Sequence, residues 1–210
     1  MERRLPQPAG LDVFEAIWTT RAMRRLDNSR AVSDEDLKLI LEAASMAPSG
    51  GNSQPVRWVV VRDPELRRQL GQIYGPIARR TFLGNYAEAA KTDPAVAKML
   101  DSAMHLADHL GEAPVLLIPC APKDRVRIEG AVFPAIQNLM LAARALGLGT
   151  TLTSVHRDDE EPVKQLLGIP DGIQTYAIIP VGHPLGRWGV PARLPVEEMS
   201  YSDRWGEPLQ

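Results

Sequence analysis

The sequence predicts an α+β fold, and three observations predict it. Two amphipathic helical segments precede the first strand, so helices and strands do not alternate as in a doubly wound parallel sheet. Three short apolar runs of strand character, at residues 58–61, 115–119 and 174–181, are dispersed among helical segments. No glycine-rich turn leads from a strand into a helix, as a dinucleotide or phosphate loop requires.

Each element carries its own signal. Asp12 and Glu15 have the spacing of a capping box, and Val13, Phe14, Ile17 and Trp18 share one face of the helix that follows. Ser33 caps a second helix, in which Leu37, Ile40, Leu41 and Ala44 repeat at helical spacing until Pro48 stops the run. After the strand at 58–61, Asp63-Pro64 starts a third helix, because proline at the first helical position gives up no needed hydrogen bond. Residues 75–93, with Phe82, Leu83 and Tyr86, read as the continuation of a surface helix pair or as a cover over a pocket. Asp93-Pro94 repeats the start signal, and Val96, Met99, Leu100, Ala103, Ala107 and Leu110 line one face up to Gly111. A strand at 115–119 leads to an apolar helix at 131–146 that Gly147 ends. A short helix near 161–167 closes at Gly168, and a last strand spans 174–181.

The remainder is different. Pro184, Pro191, Pro195 and Pro208 break up the end of the chain, yet it keeps Leu194, Met199, Tyr201 and Trp205. A proline-rich stretch with large apolar groups is expected to be an arm packed on a surface, and it is assigned to residues 185–210 of a single domain spanning 1–210. No repeat or low-complexity tract interrupts the chain.

Composition narrows the function classes. The 210 residues are 44% hydrophobic and 24% charged, as in globular proteins. A net charge of -2 speaks against nucleic-acid or anionic-membrane partners. The one cysteine, Cys120, excludes an intrachain disulfide and reads as a packing residue. The N-terminal stretch has no apolar segment of a secretory signal, and the run at 131–149 is interrupted by Gln137, Asn138 and Arg144. The expectation is a cytoplasmic protein with no membrane span.

Few residues carry chemistry by themselves. Arg21, Arg24 and Arg25 follow the first helix, and guanidinium forks match phosphate oxygens in pairs, although a solvated basic patch has the same composition. Residues 47–55, Ala-Pro-Ser-Gly-Gly-Asn-Ser-Gln-Pro, join a helix to a strand. Small residues with free amides let a ligand approach the backbone, and they also suit an ordinary turn. His105 and His109 stand at i and i+4 but lack the glutamate of a zinc-protease motif, and read as a surface pair. Ser49 and Ser154 lack the context of a nucleophile elbow.

Taken together, the segments resemble the FMN-dependent nitroreductase family. Arg21-Ala22-Met23-Arg24-Arg25-Leu26 is similar to its N-terminal R-S-x-R-x-F element, and residues 47–55 to its A-P-S-x-x-N-x-Q-P loop. Gln137-Asn138-Leu139-Met140-Leu141-Ala142-Ala143, with Gly147-Leu148-Gly149-Thr150, resembles its central helix and exit. Leu167-Gly168-Ile169-Pro170 and Val181-Gly182-His183-Pro184 are similar to its L-G-I-P and G-Y-P elements, and Arg193 and Asp203-Arg204-Trp205-Gly206 to parts of its tail. The likeness is collinear from about residue 11 to residue 206. Ala22 stands where the family has serine, Gly50 where it has a second serine, and Val56 where it has tryptophan, with Trp58 two residues on.

The resemblance implies a mostly antiparallel sheet flanked by helices, in an intertwined homodimer with a C-terminal arm and two flavin sites. It implies that Arg21, the backbone of Ala22, Arg24 and Arg193 hold the FMN phosphate. Pro48, Ser49, Gly50 and Asn52 would reach the flavin from the partner subunit, with Thr153 and Ser154 along its edge and a backbone amide there facing N5. NADH or NADPH would reduce the flavin, and a nitro compound, quinone or similar small acceptor would reoxidise it in a ping-pong cycle through N5. No side-chain nucleophile is then needed. Two other readings stay open: a specialised dehalogenase, dehydrogenase or flavin-fragmenting enzyme of the same family, and a protein that sequesters flavin without turnover.

Overall fold

A computed structural model describes residues 10–209. The N-terminal stretch at 1–9 and the last residue of the arm, Gln210, lie outside the described residues. Helix α1 (Val13–Thr19) opens at Asp12, whose side chain accepts from the Glu15 amide. Strand β1 (Leu26–Asp27) follows, then α2 (Asp34–Ser45), where the Ser33 hydroxyl accepts from the Asp36 amide. Both caps satisfy donors that the first helical turn leaves free.

The rest comprises β2 (Arg57–Val61), α3 (Pro64–Ala90), α4 (Pro94–His109), β3 (Val115–Pro122), α5 (Glu129–Ala145), β4 (Gly149–Thr150), α6 (Glu161–Leu167), β5 (Ile173–Thr175) and β6 (Ile179–Pro184). Asp63 and Asp93 cap α3 and α4 with proline in the first turn, and Gly168 ends α6 in the left-handed conformation. The α3 helix runs unbroken past Pro76 to Ala90, so residues 75–90 are one helix and not a pair. Its flank is tied down by the Arg79–Asp108 ion pair and by Thr81 donating to Asp158 at 2.7 Å.

Every strand pair is antiparallel, in the order β1-β6-β3-β2, with β4 added on β6 and β5 on β3. Strand β3 is the centre, and its alternation explains its wholly apolar sequence. Val115, Leu117 and Ala121 face α2 and α5, where they meet Ile40, Val132, Ile136 and Leu139. Leu116, Ile118 and Cys120 face α3 and α4, where they meet Leu70, Tyr74, Leu106 and Leu110. The sheet is thus sandwiched between two helical layers, and a strand covered on both faces needs no polar side.

The stretch at 174–181, expected as one strand, is two. Opposite it, β3 moves three residues from Cys120 to Leu117 while the facing chain moves four, from Thr175 to Ile179. The extra residue makes a β-bulge. Its cause is Pro119, which accepts from the Tyr176 amide but has no N–H to return. Ile178, inside the bulge, pairs instead with Thr153. The bulge therefore fixes the segment after β4, which matters below.

Beyond β6 the chain is largely irregular, with a short 3₁₀ turn at Val196–Glu198, and its large apolar side chains are not buried within one chain. Leu185, Val190, Leu194, Met199 and Trp205 are exposed, Trp205 by 90%. The apolar face of α1, with Val13, Phe14, Ile17 and Trp18, is exposed as well. No helix among the described residues is long and apolar enough to cross a membrane.

Candidate functional site

Residues 21–25 run as an extended segment between α1 and β1. The Met23 amide donates to the Thr150 carbonyl at 2.8 Å, which lays this segment against β4. Gly149 permits the approach, because a Cβ there would come within 2.8 Å of the Met23 Cβ.

The three arginines of this segment have different surroundings. Arg25 donates to Asp101 at 3.3 Å and contacts His105 Nδ1 at 3.1 Å, so its charge is already balanced. Arg24 is half-buried and, among the described residues, donates only to the Ser102 hydroxyl, at 3.4 Å. Arg21 is exposed and makes no hydrogen bond or ion pair among the described residues. Burial pushes the Arg24 guanidinium below its ordinary range, the nearby phenol of Tyr74 pulls the other way, and the charge of Arg21 adds to the lowering. Two guanidiniums that repel each other, with no carboxylate between them, form a place for an anion. Ala22 is exposed beside them, and its methyl leaves only backbone groups to offer a ligand.

Thr153 lies on the neighbouring segment and is buried. Its amide donates to the Ile178 carbonyl at 3.2 Å, its carbonyl accepts from the Ile178 amide at 2.8 Å, and its hydroxyl meets the Tyr74 hydroxyl at 2.9 Å. Ser154, the next residue, is exposed, and its N–H and hydroxyl make no hydrogen bond among the described residues. The structure thus gathers Arg21, Ala22, Arg24, Thr153 and Ser154 on connected segments.

The other expected residues lie apart. Pro48 and Ser49 line a separate cavity of about 210 Å³ with Leu41, Trp58, Ala131 and Ala135. Gly50 and Asn52 belong to a short 3₁₀ turn on an exposed loop, and positive φ values at Asn52 and at Gln54 just beyond the turn hold strained backbone there. Ser49 steadies that loop by accepting from the Gln54 amide at 3.0 Å. No hydrogen bond or ion pair joins it to Arg21 or Arg24 among the described residues. Arg193, on the arm, bonds among the described residues only to the adjacent Ala192 carbonyl, at 2.8 Å.

Three polar groups were not foreseen from the sequence. Tyr74 falls on the apolar face Leu70-Tyr74-Ala78 and reads there as core, and nothing in the sequence names its partner 79 residues away. Ser102 reads as surface. His156 is fully buried with Nε2 2.9 Å from the Thr175 hydroxyl, which in turn donates to Glu160 at 2.9 Å, and Nδ1 has no partner. His105 is half-buried and His109 exposed on α4, with their ring centroids 4.3 Å apart. Cys120 is buried and its thiol is pushed up to about 12, chiefly by burial, as an inert packing residue should be.

Comparison with known proteins gives the family of the chain. The NADPH-flavin oxidoreductase of Vibrio harveyi is 26% identical over 200 residues, covering 93% of this chain and 75% of its own length. The iodotyrosine deiodinase of Thermotoga neapolitana is 31% identical over 152 residues, 71% of this chain and 77% of its own. A crystal structure of oxidized iodotyrosine deiodinase bound to FMN and 3-iodo-L-tyrosine superposes with a TM-score of 0.72 at 26% identity, covering 92% of this chain and 98% of that one. The model of the Nitroreductase family matches residues 17–183, from α1 to β6, and the chain belongs to that family.

Proposed function

We propose that this chain is an FMN-dependent oxidoreductase that uses NADH or NADPH to reduce nitro compounds, quinones or similar small acceptors. Family membership, the flavin oxidoreductase among its relatives and an FMN-bound structural neighbour support the flavin and the nicotinamide. The observation in this structure that carries the reading is the proximity of Arg21 to the partly desolvated Arg24, with no ion pair to a carboxylate at either among the described residues.

That pair fits the phosphate of FMN. A dianion placed there would offset both guanidiniums and would restore charge balance around Arg24, each charge-assisted contact contributing about 1.5–3 kcal/mol. Ala22 would offer its backbone, and Arg193, whose guanidinium reaches only its own neighbour's carbonyl, would be the third ligand. Ser154 lies on the segment that would run along the flavin edge. When bound, FMN supplies hydride exchange at N5, the chemistry that the side chains lack. The chain's own part is to hold the phosphate, orient the ring and exclude water beside it.

The active form in this reading is a homodimer. Pro48, Ser49, Gly50 and Asn52 come from a loop not joined to the arginines within one chain, so they would serve the site of a second copy. The exposed apolar face of α1 and the exposed arm support this arrangement, because surfaces of that kind need covering.

A dehalogenase is the second reading, favoured by the two deiodinase relatives. One steady-state experiment separates them. The FMN-loaded protein is assayed with NADH or NADPH against nitroaromatics, quinones and halogenated phenols. Parallel double-reciprocal lines with nitro or quinone acceptors are expected. Halide release with no nitro or quinone turnover would overturn the first reading in favour of the second.

A further inference from the structure

This inference rests on the flavin reading above and assigns a task to a residue outside the expected site. Thr153 is buried, with both of its backbone groups taken by the bulge at Ile178 and its hydroxyl hydrogen-bonded to Tyr74 at 2.9 Å. The next residue, Ser154, is at the surface, and among the described residues nothing engages its N–H or hydroxyl. The Tyr74 hydroxyl reaches Thr153 from α3, in a buried setting where a hydrogen bond is well defined and costly to leave unmade.

We propose that Tyr74 and Thr153 form a latch of positioning residues that fixes Ser154 as the donor to the edge of the bound flavin. Thr153 anchors the segment from both sides, and Ser154 alone presents donors outward. The same phenol interacts electrostatically with the guanidinium of Arg24, which links the latch to the phosphate end of the site. The sequence gives the arrangement its specificity. Phenylalanine at 74 would pack in the same space but leave the Thr153 hydroxyl without its partner, and valine at 153 would do the same to Tyr74.

The test is a double-mutant cycle on the FMN-loaded protein, with Tyr74→Phe, Thr153→Val, the double variant and the conservative Thr153→Ser. The readouts are the FMN dissociation constant and the midpoint potential of the bound flavin, which a change in fold stability alone would not move. Each single variant is expected to weaken FMN binding about threefold to tenfold, the worth of one buried hydrogen bond. Each is also expected to shift the potential in the same direction. The double variant should do no more than either single one, because both break the same contact. Thr153→Ser should behave as wild type.

Unchanged affinity and potential in both Tyr74→Phe and Thr153→Val would overturn the latch and leave the flavin reading standing. Additive effects in the double variant would also overturn it, since the two residues would then act separately. Should Tyr74→Phe fail to fold, the contrast between Thr153→Val and Thr153→Ser decides, and equal behaviour of those two overturns the latch. Failure of the wild-type protein to bind FMN would overturn the flavin reading and the latch together.

Discussion

The imidazole of His156, fully buried, places Nε2 2.9 Å from the hydroxyl of Thr175. That hydroxyl donates onward to Glu160 at 2.9 Å, so Nε2 of His156 carries a proton and donates to Thr175. Burial lowers the imidazole to about 4, against the opposing pull of Glu160. The unfolded chain takes up this proton near pH 6.5 and the folded chain only near 4, so the folded state loses stability as pH falls between those values. The loss expected is about 3 kcal/mol, complete below about pH 4. Urea unfolding at pH 7 and pH 4.5 measures it, with His156→Gln as the reference that should flatten this part of the profile. Equal pH dependence in the variant and the wild type would contradict the assignment.

The arginine pair makes a prediction about ligand selectivity. Arg21→Ala and Arg24→Ala should each weaken FMN binding about tenfold to a hundredfold, while riboflavin, which has no phosphate, should bind nearly as before. Flavin fluorescence titration gives both constants. Arg25→Ala is the control, because Asp101 already balances that residue. An equal loss of FMN and riboflavin in the Arg21 or Arg24 variant would mean that the pair supports the fold and not a phosphate.

Association of two chains should be inseparable from flavin binding. Charge on the exposed face of α1, as in Phe14→Asp combined with Trp18→Asp, should yield monomers by sedimentation velocity and release FMN. Monomers that hold FMN at wild-type affinity would contradict a site shared between copies.

A packing prediction tests the fold itself. Gly111 lies so close to α3 that a Cβ there would stand 2.6 Å from the Arg67 carbonyl oxygen. Backbone has no rotamer with which to yield, so Gly111→Ala should destabilise the protein by about 1–3 kcal/mol. An unchanged urea midpoint would show that the α3 backbone shifts freely.

Much of the fold was legible because its signals are local. Asp12, Ser33, Asp63 and Asp93 cap the helices that they announce, and the apolar run at 115–119 is the core of β3. The break between β5 and β6 was not legible, because its cause, Pro119, sits on a different strand. Likewise α3 runs on past Pro76, since contacts to α4 and Asp158 override what proline discourages. Composition presents the three arginines alike, the family resemblance singles out Arg21 and Arg24, and the structure adds that Arg25 is already paired with Asp101. Thr153 and Ser154 are adjacent and chemically alike in sequence. The hydrogen bonds of Thr153 to Ile178 and Tyr74, both remote along the chain, set them apart.

The central claim is that this chain binds FMN and reduces it with a nicotinamide. The most direct measurement is an anaerobic visible spectrum of the FMN-loaded protein before and after addition of NADH, then of NADPH. Loss of the yellow oxidised band with at least one of the two is the predicted result. A bound flavin that stays yellow with both would contradict nicotinamide-driven reduction, and a protein that retains no flavin would contradict the account at its root.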